Sequence, residues 1–239
     1  MIVAFSTGRA FATTCNGYVY TGQEANGYYQ GLEGAISVDT LSLPNTSSAH
    51  NVNWVGLTNF QTSPNYWLQV GYGYGALPSP CGAVSSLYAY EENQDVNGYN
   101  CTWETPISLA QNDYYTVFYT GTFNDENCPG ADGLLDGYIY NGSSWTLIGQ
   151  AWVPSCAANL TPQALAEGYT ASSATCPDWN QYEYFGTNGS GTVNSGTSLD
   201  LSTNGTSWAA WTGGPAAYWN FFSTFNQISN YDAFSMYGS

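Results

Sequence analysis

The stretch NYWLQVGYGYG, Asn65 to Gly75, alternates bulky residues with an amide and glycines. Strand side chains point to alternate faces, so Tyr66, Leu68, Val70 and Tyr72 share one face and Trp67, Gln69, Gly71 and Gly73 the other. The leucine–valine face belongs in a core. Gln69 then stands on the opposite face beside two positions without side chains. The glycines make room either for an extended chain lying across the sheet or for close approach of a neighbouring strand. The period is two residues, which predicts a β-strand.

The rest of the chain repeats this pattern. Segments rich in Tyr, Trp, Val, Ile and Thr recur between Gly, Asn, Pro and Ser clusters, and helical periodicity is scarcely present. Strands are predicted at 17–20, 28–38, 53–57, 66–71, 86–91, 114–122, 137–140, 145–152, 164–170, 182–186, 207–211 and 233–237. This set predicts an all-β, antiparallel sandwich of two stacked sheets. We read one domain over 15–239, with residues 1–14 (MIVAFSTGRAFATT) as a strand-forming N-terminal extension. Residues 124–136, the most acidic stretch, and the Gly/Ser/Thr/Asn-rich 188–204 are predicted loops.

Charge narrows the partners. Seventeen acidic residues face one basic side chain, Arg9, and there is no lysine. Nucleic acids and anionic membranes both require basic patches, so neither is an expected partner. No apolar run is long enough to insert in a membrane. In an acidic medium near pH 3 most carboxylates, with reference pKa about 4, would be protonated. Arg9, His50 and the amino terminus would remain as the cationic groups, so the chain escapes the self-repulsion of a lysine-rich protein. The composition points to an acidic habitat.

Six cysteines (Cys15, Cys81, Cys101, Cys128, Cys156 and Cys176) are widely spaced, with no CxxC pair. An even number in such a polar chain predicts disulfides and an extracellular, secreted setting, with the connectivity open. Sequons at Asn45, Asn100, Asn141, Asn159, Asn188 and Asn204 fit that setting. The MIVAF start is too short for the apolar core of a signal peptide.

The catalytic options are few. His50, the one histidine, is expected to be a surface-loop residue after SSA, and in acid it would be protonated and unfit as a triad base. No cofactor is expected. Nor is a metal: the acidic stretch lacks EF-hand spacing and reads as a solvated hairpin loop. The tripeptides of aspartic peptidases, Asp-Thr-Gly and Asp-Ser-Gly, are absent. Glu91 and Glu92 are adjacent on a predicted strand, so they point to opposite faces and one alone can face a cleft. Carboxylate and amide chemistry remains.

The order of motifs then carries a resemblance. The chain reads CNGYVYTGQEANGYYQGLEGAISV, NWVGL, YWLQVGYG, LYAYEE, ISLAQNDYYTVFY, WTLIGQAWV, LAEGYT and YEYFGT in succession. This series resembles the glutamic peptidases (eqolisins), which have a W-V-G strand, a catalytic glutamine in L-I-Q-x-G, a Y-E-W strand and a catalytic glutamate in A-E-W. The resemblance runs from about Cys15 to the last strand. It implies a concanavalin-like (jelly-roll) sandwich with Gln69 and Glu167 as the catalytic pair. It also places Trp54 on the cleft tryptophan and Glu91 on the acid of the Y-E strand. Trp67 shares the Gln69 face and joins the expected substrate-binding residues. Gly17, Gly168 and Glu92 stand where the family has tryptophans, and AISV lacks the family's W-x-V-P ending.

The function so implied is acid endopeptidase activity on a polypeptide substrate. The alternative is a non-catalytic extracellular structural or filament-forming subunit that self-assembles through residues 1–14 on a neighbour's sheet edge. A carbohydrate-binding module rests on the aromatic content alone.

Overall fold

The computed structural model describes residues 14–37, 48–60, 64–108, 112–120, 132–154, 160–175, 183–186, 198–213, 216–219, 223–229 and 233–238. Among these residues there are sixteen strands and no helix. They are β1 (Thr14–Glu24), β2 (Gly31–Ser37), β3 (Ala49–Asn59), β4 (Tyr66–Leu77), β5 (Gly82–Asp95), β6 (Gly98–Pro106), β7 (Asn112–Tyr119) and β8 (Asp132–Tyr140). The rest are β9 (Trp145–Pro154), β10 (Thr161–Thr175), β11 (Glu183–Phe185), β12 (Asp200–Ser202), β13 (Trp208–Ala210), β14 (Ala216–Trp219), β15 (Ser223–Ser229) and β16 (Ala233–Gly238).

Two antiparallel sheets result. The first has the order β14-β1-β10-β3-β4-β5-β6, and the second β15-β16-β11-β2-β7-β8-β9, with β12 beside β2 and β13 beside β12. All twelve predicted segments fall on strands. Four strands were not expected. β6 (GYNCTWETP) is a half-exposed edge strand without apolar alternation, β12 and β14 are very short, and β15 (STFNQIS) is polar. β12 lies inside the stretch expected to be a loop. The end of the acidic stretch is also strand, because β8 begins at Asp132.

Leu68, Val70 and Tyr72 project from β4 into the space between the sheets. There they meet Val55 and Leu57 of β3, Ala164 and Ala166 of β10, and Leu32, Ile36, Tyr115, Val117, Leu135 and Ile139 of the second sheet. Full burial of each large apolar side chain contributes about 1.5–3 kcal/mol. The sheets approach closely here, since a Cβ at Gly137 would sit 2.4 Å from Val70 Cγ1.

The first sheet has a second apolar cluster on its other face. Val52, Trp54, Leu77, Tyr90, Cys101 and Leu165 form it, so β3 is buried on both faces along its whole length. The Cys81–Cys101 disulfide ties the β4–β5 connection to β6. Cys128, Cys156 and Cys176 lie outside the described residues, as do residues 1–13 and most of the acidic stretch. Among the described residues, no helix is long and apolar enough to cross a membrane.

The glycines of β4 serve the neighbouring strand. A Cβ at Gly71 would lie 1.9 Å from the Asn53 carbonyl oxygen, and one at Gly73 would lie 2.3 Å from that of Asn51. Both obstacles are backbone of β3, which cannot swing aside. Gly71→Ala is therefore expected to lower stability by about 1–3 kcal/mol through overpacking, read from the urea midpoint. Gly213→Ala, where a Cβ meets nothing within 4 Å, is the control and should leave the midpoint unchanged.

Candidate active site

Pairing along the first sheet assembles the site. Gln69 lies opposite Gly56 of β3 and Glu92 of β5. Glu167 lies opposite Val52 of β3 and Tyr20 of β1. Trp54 faces Leu165 on one side and Gly71 on the other, so on the same face it is a diagonal neighbour of both Glu167 and Gln69. Diagonal neighbours are within reach of long side chains. A Cβ at Gly56 would lie 3.1 Å from the Trp54 ring and 3.2 Å from Gln69 Cβ, so this glycine gives both side chains room. Gln69, Glu167, Trp54 and Trp67 line one cleft of ≈ 690 Å³, together with Tyr18, Tyr20, Glu92 and Tyr99. Gln69 and Glu167 lie at its bottom, 6% and 4% exposed.

Each of the two is held by its own partners. Trp54 Nε1 donates to Glu167 Oε2 at 3.2 Å. His50 Nε2 lies 3.0 Å from Glu167 Oε1. His50 was expected in a surface loop, and it is instead fully buried on β3, two residues before Val52 on the face that carries Trp54. Its ring packs against Tyr169, with centroids 5.4 Å apart, and Tyr18, at 5.9 Å, which also touch each other at 4.6 Å. The tautomer follows from the contacts. Nδ1 is 3.0 Å from the Ala76 carbonyl oxygen, an acceptor only, so Nδ1 carries a hydrogen. A neutral ring would then turn a bare lone pair at the carboxylate. The His50–Glu167 contact therefore contains a proton, and with Glu167 ionised His50 is an imidazolium. Burial disfavours that cation. The hydrogen bond to Glu167 and its charge, with the Ala76 carbonyl, outweigh the penalty and raise the His50 pKa.

Gln69 Nε2 donates to Glu92 Oε2 at 2.8 Å and to the Tyr90 hydroxyl at 3.1 Å. The Tyr99 hydroxyl donates to the other Glu92 oxygen, Oε1, at 2.7 Å. Burial, then the nearby charge of Glu167, pushes the Glu92 carboxyl up to about 8.

Glu91 is the exception among the expected site residues. It points into the space between the sheets, where Asn93 Nδ2 donates to its Oε2 at 2.9 Å and a Cβ at Gly149 of β9 would lie 2.7 Å from its Cβ. The alternation of β5 puts Glu92, not Glu91, in the cleft. His50, Glu92 and the ring of tyrosines were not assigned to the site from sequence. Period two signals them all: His50 is in step with Trp54 along HNVNW, and Glu92 with Tyr90.

Glu91 and Glu92, buried, and Glu33 of β2, half-buried, make stability depend on pH. Burial is the first cause raising Glu33, Glu91 and Glu92 from 4.5 to about 7, 7 and 8. Unfolded, they release protons near their ordinary value; folded, they hold them longer. Over that interval the native state binds more protons, so stability falls as pH rises from about 4.5 to about 8. The raised His50 acts in the same direction: its contribution is complete below its unfolded pKa and is lost as pH rises through the folded one. Calorimetry should give a higher melting temperature at pH 4.5 than at pH 8; an equal or lower one contradicts this assignment.

No protein-family model matches the sequence, and no curated protein matches it. The fold does match solved structures. One is SCP-B, a member of the eqolisin family of peptidases, in a complex with the tripeptide Ala-Ile-His. It has 12% identity and a TM-score of 0.51, with 95% of this chain and 100% of that chain covered. Another is scytalido-glutamic peptidase with a peptide-based transition-state analogue, at 11% identity and a TM-score of 0.52, with the same coverage. The chain thus shares the β-sandwich fold of the eqolisin peptidases.

Proposed function

We propose that this protein is a secreted endopeptidase that hydrolyses peptide bonds in acid with Gln69 and Glu167. The observation that carries the reading is that these two side chains, from strands on either side of β3, line one aromatic cleft. Support for a polypeptide substrate comes from the two structures of the same fold, whose ligands are a tripeptide and a peptide-based analogue.

The chemistry runs as follows. Glu167, as carboxylate, accepts a proton from water while the water oxygen bonds to the scissile carbonyl carbon. Each of its oxygens keeps a lone pair beyond those engaged by His50 and Trp54. Negative charge develops on the carbonyl oxygen, and the Gln69 amide donates a hydrogen bond to it. The C–N bond then breaks, and the proton on Glu167 passes to the leaving amine. Trp54 and His50 hold the carboxylate in position throughout. Trp67, Tyr18 and Tyr20 offer apolar walls to an extended chain, and the site uses no metal or cofactor in this scheme.

Secretion is supported by the Cys81–Cys101 disulfide, and an acidic medium by the scarcity of cationic groups and by buried acids whose pKa burial raises. Digestion of an unfolded protein at about pH 3, followed by mass spectrometry of the fragments, tests the activity. Wild type should cleave, and Gln69→Ala and Glu167→Gln should not; no cleavage by wild type at any pH rejects the reading.

A further inference from the structure

The hydrogen bonds of Gln69 conflict with the task just given to it. An amide nitrogen carries two hydrogens, and here one is directed at Glu92 Oε2 and the other at the Tyr90 hydroxyl. The donor end of the side chain is therefore turned toward β5, away from any substrate. What it leaves for the cleft is Oε1, an acceptor, which repels a developing oxyanion.

A proton on Glu92 reverses this arrangement. Oε1 of Glu92 already accepts from Tyr99, so the proton resides on Oε2, the oxygen facing Gln69. A protonated Oε2 is a donor and needs an acceptor. Turning the amide about its terminal torsion supplies one, because Gln69 Oε1 has two lone pairs. It accepts from Glu92 Oε2 and from the Tyr90 hydroxyl together, and every buried group stays satisfied. The Nε2 hydrogens then point into the cleft. This turn exchanges hydrogen bonds one for one and requires no backbone movement.

We propose that Glu92 is the positioning residue for Gln69: a proton on its Oε2 turns the amide nitrogen toward the substrate, and loss of that proton turns it away. This inference rests on Gln69 being the oxyanion donor. It makes the site active in acid through a second carboxyl, separate from the base.

The groups facing Glu92 favour the protonated form. From β6 comes Tyr99, from β5 Tyr90, from β10 Glu167, and from β1 Tyr18 and Tyr20, while the charge of Glu91 acts from the other face of β5. All the phenols are pushed up and stay neutral. Among the described residues the one cation acting on Glu92 is His50 of β3, which is already paired with Glu167. Burial and the Glu167 charge therefore decide, and both hold the proton on Glu92.

The test follows the amide itself. The side-chain NH₂ resonances of Gln69, identified by their loss in Gln69→Ala, are recorded from pH 4 to pH 9 together with the Glu92 carboxyl ¹³C signal. They should shift in step with the Glu92 titration. In Glu92→Gln, Tyr99 donates to the new amide oxygen and the new NH₂ faces Gln69, so the Gln69 signals should stay at their acid-form position across the range. The same variant should keep its kcat/KM one pH unit above the Glu92 midpoint, where wild type falls about tenfold. A Gln69 amide that does not respond while Glu92 titrates overturns the proposal. An amide that responds in a protein without peptidase activity upholds the switch and rejects the enzymatic reading instead.

Discussion

Glu167→Gln is expected to reduce kcat by about 10²–10⁴-fold, the range for loss of a general base. Gln69→Ala is expected to reduce it by about 10²–10³-fold, as for removal of an oxyanion donor. Both changes remove interactions made in the transition state, so kcat and kcat/KM should fall together with KM little altered. The double variant should be little worse than the weaker single one, because base and oxyanion donor act on the same step. Initial rates on a peptide substrate at about pH 3 check all three. Circular dichroism is needed beside them, since Gln69→Ala removes the donor shared by Glu92 Oε2 and the Tyr90 hydroxyl. A Glu167→Gln protein that folds and retains wild-type kcat would remove Glu167 from the mechanism.

The second large effect is structural. His50→Ala strands the Glu167 carboxylate at the bottom of the cleft, with Trp54 as its remaining donor. Breaking a buried pair by removing one partner costs about 3–5 kcal/mol, because an uncompensated charge is left behind. The pairing account makes a sharper demand on the double variant. His50→Ala with Glu167→Gln leaves no charge, so it should be more stable than His50→Ala alone despite carrying an extra change. Urea unfolding at pH 5 on the four proteins of this cycle gives the coupling. Additive costs would show that His50 stabilises the fold only by packing against Tyr18 and Tyr169.

Much of the architecture was legible from period two alone. NYWLQVGYGYG assigned the two faces of β4 correctly, with Leu68, Val70 and Tyr72 in the core and Gln69 and Trp67 in the cleft. The resemblance added Glu167, which lines the same cleft and which nothing local in LAEGYT distinguishes. What sequence missed depends on relations between strands. The purpose of Gly71 is invisible until β3 lies against it. His50 was misread because β3 begins at Ala49, earlier than the apolar run suggests, and a histidine among asparagines has no apolar signature. Glu91 was preferred to Glu92 because motif position was carried over without the strand parity, and parity puts Glu92 in step with the cleft-lining Tyr99 network. Long-range pairs such as His50–Glu167 join strands far apart in the chain, and no local pattern encodes them.

The most direct test of the central claim is hydrolysis in ¹⁸O-labelled water at about pH 3. Wild-type protein and an unfolded polypeptide should yield fragments whose new carboxyl termini carry one ¹⁸O. Glu167→Gln, folded by circular dichroism, should yield none. Fragments produced equally by both proteins would contradict the account, as would an intact substrate after prolonged incubation with wild type.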